Sequence, residues 1–145
     1  MAEQLRFSEL QLGEEDQESN DTRLKRSSSG LIIVRALSLK QPYANWVASG
    51  RKTLETRTWS TPYRGDILIC ASTTGKGEPK GVALCVVELT NIRPMLQSDE
   101  HAACVSVYPR AKAWELTNLR VIKKPFPVSG KLNLFKLEVS EELII

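Results

Sequence analysis

From Leu31 onward the chain alternates: Ile33, Arg35, Leu37 and Leu39 fall on one parity, Val34, Ala36, Ser38 and Lys40 on the other, in a run rich in β-branched residues. A period of two predicts a strand entering a core. The spacing then turns helical, with Tyr43, Trp46 and Val47 at i, i+3 and i+4. Pro42 stands where a first helical residue tolerates a missing N–H, and Gly50 where a left-handed cap ends a helix, so a short helix is predicted from Pro42 to Ser49.

Thr53 to Trp59 predicts a second strand, and Ser60 to Gly65, with Pro62, a turn. Asp66 to Ala71 and Gly81 to Leu89 are nearly continuous apolar runs, the pattern of strands covered on both faces. Between them the Gly-, Thr- and Lys-rich stretch Ser72 to Lys80 reads as a loop. Ser98 is placed to cap a short helix through Ala103, and Tyr108-Pro109 marks a break. Lys112 to Ile122 predicts another strand, Pro125 to Gly130 a turn, and Leu132 to Val139 the final strand. Five or six strands with one or two short helices, without regular strand–helix alternation, predict a β-rich α+β domain built as a compact barrel. Trp46 and Trp114 are expected mainly in its core.

Composition divides this picture near Gly30. Residues 1–30 hold seven acids and four Lys/Arg, net −3, and are rich in Glu, Gln, Asp and Ser, so they are expected to form a disordered tail ahead of a single domain at 31–145. Within the tail, Leu5 to Leu12 is a candidate partner-binding segment. Residues 31–145 hold ten acids and sixteen Lys/Arg, net +6, a field that attracts polyanions. No apolar run approaches the ~20 residues of a membrane helix, and the expectation is an intracellular protein, cytoplasmic or nuclear.

Candidate chemistry is narrow. Three dispersed cysteines, one histidine and no C-x-x-C argue against disulfides, metal and zinc chemistry, and no cofactor is expected. Gly75, Gly77 and Gly81 satisfy neither phosphate-loop pattern. The densest signal is Lys52, Glu55 and Arg57, directly after the helix and its glycine. Strand parity puts Glu55 and Arg57 on one face with Thr53, and Lys52, at the corner, can fold over that face. A glutamate between two cations can accept from the amine edge of a base while the cations meet phosphate or carbonyl oxygens. The same residues also fit an ordinary ion-pair network at a surface. Trp59 and Tyr63 are candidate stacking residues, and Arg64, Lys76 and Lys80 candidate phosphate contacts.

At Gly50-Arg51-Lys52-Thr53-Leu54-Glu55-Thr56-Arg57 the chain resembles the ASCH family, whose signature is Gly-x-Lys-x-x-Glu-x-Arg. The lead-in Leu37 to Ala44, the stretch Tyr63 to Ser72, Ala113-Trp114-Glu115-Leu116 and Pro127 to Lys131 also look like the family, over residues 33–140 or so. Asp66 and Cys70 stand where relatives often have proline and histidine. The resemblance implies a PUA-like β-barrel with a cleft beside the signature that binds RNA or nucleotides, lined here by Lys52, Glu55 and Arg57. One branch of the family is an acetylcytidine amidohydrolase using a lysine, a threonine and a glutamate. Lys52 matches that lysine, Glu55 occupies the threonine position, and Glu88 and Glu115 are candidates for the glutamate. An enzyme of this kind would use Lys52 as base with Glu55 orienting the substrate. Coactivator relatives imply a third reading, an adaptor that captures a protein partner through the tail.

Overall fold

Two strands of this chain are apolar on both faces because each is packed on both. The computed structural model describes residues 25–26 and 31–144. Its elements are β1 (Lys25–Arg26), β2 (Ile32–Gln41), α1 (Tyr43–Ala48), β3 (Leu54–Arg57), β4 (Gly65–Gly75) and β5 (Val82–Pro94). A 3₁₀ turn (Gln97–Asp99), α2 (Glu100–Ala103), β6 (Lys112–Pro127), β7 (Leu134–Val139) and a final 3₁₀ turn (Glu141–Leu143) complete them. Among the described residues the strands form one seven-stranded sheet in the order β1-β2-β4-β5-β6-β3, with β7 also paired to β2. Of the predicted tail only Lys25 and Arg26 are described, as backbone antiparallel to Ile33 and Ile32. The Leu5 to Leu12 segment lies outside the described residues.

Leu37 and Leu39 of β2, with Ile67 and Ile69 of β4, face one core that α1 covers with Ala44 and Val47. The opposite parity, Ile32, Val34, Ala36, Leu68 and Cys70, faces a second core with Phe135 and Val139. Trp114, fully buried, joins the first, while a smaller cluster of Leu54, Met95, Ala103, Ala111 and Ala113 underlies the excursion between β5 and β6.

Hydrogen bonding does not close the sheet, yet its ends meet. β3 pairs only with β6, over Leu54–Arg57 against Glu115–Lys112, and β7 leaves β2 after Leu37. Across the remaining seam the Arg57 guanidinium donates from Nη2 to the Ser38 carbonyl at 3.3 Å. The domain is thus an open, β-rich barrel with a gap between β2 and β3.

Several boundaries differ from the sequence expectation. β4 continues through Gly75, so half of the predicted Ser72–Lys80 loop is strand. β6 runs through Pro125 and Pro127, where a turn was expected. Among the described residues no strand pairs with the outer edge of β6 beyond Leu116, and a proline's missing N–H does no damage at such an edge. Ser98 makes no cap. The Asp99 carboxylate instead accepts from the Leu96 N–H at 2.8 Å and from the two terminal guanidinium nitrogens of Arg93, at 2.8 and 2.9 Å. Trp46 is only half-buried: the Arg51 guanidinium lies 4.1 Å from its ring centroid, and the core positions of the short helix go to Ala44 and Val47.

Candidate functional site

The signature is pinned by its backbone before any side chain acts. Gly50, at φ +85°, turns the chain out of α1 and donates its N–H to Val47 O at 3.0 Å. Lys52 N–H then donates to Trp46 O (2.9 Å), Thr53 N–H to Ala102 O (2.9 Å), and Thr53 O accepts from Leu116 N–H (3.1 Å). Glu55 comes opposite Trp114 on β6, so both side chains point to the same side of the sheet.

Lys52 and Glu55 are only 3% and 6% exposed. The Lys52 ammonium donates to the Ala103 carbonyl and lies 3.7 Å from Glu55 Oε1. Glu55 Oε2 accepts from Arg57 Nε at 2.7 Å. Glu55 is therefore held between two cations, one buried and one partly exposed. Burial pushes the Lys52 amine below its ordinary value of 10.5, the neighbouring Glu55 carboxylate and Cys104 work against that shift, and Arg57 adds to it. The Tyr43 ring lies 5.4 Å from the Lys52 ammonium.

These three residues open onto a cleft of about 700 Å³ at the seam. One wall is the end of β2 (Ser38, Lys40) with Tyr43; another is the end of β4 (Ser72, Thr73, Thr74); a third is the segment Val128, Gly130 to Asn133. Val105 and Tyr108, from the excursion between β5 and β6, add the last. Lys40 and Lys131 are exposed at the lip. Glu55 is the sole acid in this lining.

The other sequence candidates do not line the cleft. Trp59 packs edge-on against Trp114, with centroids 4.9 Å apart at 85°. Tyr63 is in the core and donates its hydroxyl to Asp66 O at 2.6 Å. Arg64 folds back on the carbonyls of Thr61 and Tyr63, each at 2.7 Å. Lys76 is in the β4–β5 connection, and Lys80 pairs with Glu78 at 3.1 Å. Of the candidate distal glutamates, Glu115 takes Arg93 Nε at 2.6 Å and Glu88 is paired opposite Asp66 on β4, both away from the cleft. Sequence reasoning assigned no role to Lys40, Tyr43, Ser72 or Lys131, although all four lie in the stretches that carry the family resemblance. Tyr108 and the two threonines gave no signal, because their place depends on how far β4 runs and where the excursion folds. Among the described residues no group of three or more His, Cys, Asp and Glu side chains is arranged to hold a metal ion, and no helix is long and apolar enough to cross a membrane.

An open barrel with a cationic cleft at a Gly-x-Lys-x-x-Glu-x-Arg corner defines a class, and comparison with known proteins identifies it. The ASCH domain profile matches residues 37–126, and the chain belongs to the ASCH domain family. The crystal structure of ASCH from Zymomonas mobilis superposes with a TM-score of 0.56 at 20% identity, covering 74% of this chain and 88% of that one. Crystal structures of two variants of the same protein, one tyrosine-to-phenylalanine and one serine-to-alanine, each give 0.52 at 17% identity, over 74% of this chain and 91% and 89% of theirs. These likenesses establish the fold. No match is found among curated proteins.

Proposed function

We propose that the seam cleft binds nucleic acid or a nucleotide, with RNA as the favoured ligand. The observation that carries this reading is the charge balance of the lining. Lys40, Lys52, Arg57 and Lys131 face a single acid, Glu55, whose carboxylate is already satisfied by Lys52 and Arg57. A cleft with that surplus attracts phosphate. Tyr43 and Tyr108 offer ring faces for bases, and the hydroxyls of Ser72, Thr73 and Thr74 suit ribose 2′-OH groups.

Arg57 gives a cleaner test than Lys52, because it is partly exposed and Lys52 is not. Fluorescence anisotropy of a labelled ten-nucleotide single-stranded RNA is measured at low and moderate salt, with Arg57→Gln and Lys40→Gln beside the parent. The reading expects affinity to fall with salt and by roughly three- to tenfold in each variant, with the melting temperature little changed in Lys40→Gln and lowered in Arg57→Gln, which loses its bonds to Glu55 and to the Ser38 carbonyl. Equal binding by both variants, or binding indifferent to salt, removes it.

The lowered amine of Lys52 beside Glu55 favours a second reading, hydrolysis of an acylated nucleoside such as acetylcytidine, since a less basic lysine serves better as a general base at neutral pH. It requires a time-dependent mass change in that nucleoside that Lys52→Arg abolishes. The adaptor reading falls on residues 1–30, which apart from Lys25 and Arg26 lie outside those described.

A further inference from the structure

The basic surface does not stop at the cleft. Lys76 donates its backbone N–H to Gln41 O at 3.2 Å, which sets it beside Lys40 at the end of β2. Gly81, next to Lys80, donates its N–H to Ala71 O at 2.8 Å and accepts Val128 N–H at 2.9 Å. Lys80 is thereby fixed between the end of β4 and the segment that carries Lys131. Lys40, Lys76, Lys80 and Lys131 thus lie on segments that these backbone bonds bring to the same end of the barrel. The β4 residues Ser72 to Gly75 run between them, a span of roughly 10 Å at the rise of a strand. Their exposed hydroxyls, Thr73 and Thr74, point no charge at a passing phosphate. The one acid of residues 72–80, Glu78, is paired with Lys80.

A free mononucleotide seated against Arg57 leaves most of this surface unused. Resting on the nucleic-acid reading above, we infer that the ligand is a polynucleotide chain: one nucleotide enters the cleft, and its neighbours cross the β4–β5 hairpin on Lys76 and Lys80. The cleft selects what is bound, and the hairpin supplies length-dependent, sequence-independent affinity through phosphate contacts. Lys76 and Lys80 therefore matter only for ligands longer than the cleft.

The test is a length series. AMP and UMP, the corresponding dinucleotides, and oligo(A) and oligo(U) of four and eight residues are titrated against the full chain, against Arg57→Gln, and against the double variant Lys76→Gln/Lys80→Gln. Affinity is expected to rise roughly tenfold or more from mononucleotide to octamer. The double variant is expected to weaken octamer binding roughly five- to tenfold and to flatten its salt slope by about 2, leaving mononucleotide binding unchanged. An octamer that binds no tighter than the mononucleotide, with Arg57 still required, overturns the inference and spares the cleft. The same holds if the double variant binds every length equally well. Loss of Arg57 dependence at all lengths overturns the cleft reading itself.

Discussion

The Lys52 ammonium donates to the carbonyl of Ala103, 51 residues along the chain. A single buried side chain thus ties the corner after α1 to the excursion between β5 and β6, while the same amine faces Glu55 at 3.7 Å on the floor of the cleft. Lys52 is part of the candidate site and part of what holds its walls together.

Replacing it should therefore affect folding as well as binding. In Lys52→Met the Ala103 carbonyl loses its donor and Glu55 keeps only Arg57. Breaking a buried ion pair typically costs about 3–5 kcal/mol; the long Lys52–Glu55 distance and the remaining Arg57 bond put this case near 2–3 kcal/mol. Urea denaturation measures it. A loss below about 0.5 kcal/mol would show that the amine is not structural.

The depressed Lys52 amine has a pH signature. Between its folded value and the ordinary 10.5, the unfolded chain holds a proton that the folded chain has released. By linkage this residue's contribution to stability rises with pH across that window. The stability gap between the parent and Lys52→Met should widen as pH rises toward 10.5, and RNA affinity should begin to fall below pH 10.5 as the cleft loses its cation. A gap that narrows over that range contradicts the direction of the shift.

The opposite sign applies at Asp99. Its hydrogen bonds from Arg93 and from the Leu96 N–H hold the carboxyl down at about 2, against 3.8 for a free aspartate. The stabilisation it provides is present above the unfolded value and is lost as pH falls from about 4 toward 2. Asp99→Asn is expected to cost roughly 1–2 kcal/mol at pH 7 and progressively less at pH 3, read from thermal melts. An equal penalty at both pH values would assign Asp99 a role in packing alone.

Much of this arrangement was legible in the sequence, for reasons that differ from part to part. The alternation of β2 and the apolar runs of β4 and β5 gave the central strands, because double-sided burial leaves a continuous hydrophobic record. The Gly50 corner placed Lys52, Glu55 and Arg57 together, since a helix end and strand parity are local properties. What stayed hidden was set by long-range pairing. Thr73 and Thr74 look like loop residues until β4 is seen to pair with β2 as far as Gln41 and Gly75. Pro125 and Pro127 look like a turn until the outer edge of β6 beyond Leu116 is seen to carry no strand among the described residues. Tyr63 looked like a stacking residue because it is an aromatic near the signature, yet its ring belongs to the first core.

The three cysteines should separate cleanly. Burial pushes the Cys70 and Cys85 thiols up to about 12, so neither supplies thiolate at neutral pH, whereas Cys104 is half-exposed at the end of α2. Ellman's reagent is expected to titrate one thiol in the native protein and three in denaturant, with Cys104→Ser removing the native signal. A second or third fast-reacting thiol without denaturant would mean that the core holding it, the second core at Cys70 or the first at Cys85, opens readily.

Gly75 provides the last discrimination, between the fold of the hairpin and the ligand route proposed across it. It sits at φ +97°, and an added Cβ would lie 2.9 Å from both the backbone nitrogen and the carbonyl oxygen of Gln41. Gly77, at φ +108°, meets only the Gln41 Cβ at 3.6 Å. Both substitutions to alanine strain the backbone, but only Gly75→Ala also forces two main chains apart. The expected penalties are about 2 kcal/mol or more for Gly75→Ala and about 1 kcal/mol for Gly77→Ala, measured by urea denaturation. Because Lys76 is held to Gln41 by its backbone N–H, separating those chains should also shift Lys76 off the route and lower octamer affinity while mononucleotide affinity holds. Equal penalties for the two alanines would show that the β2–β4 junction yields easily, and unchanged octamer binding in Gly75→Ala would remove Lys76 from the path.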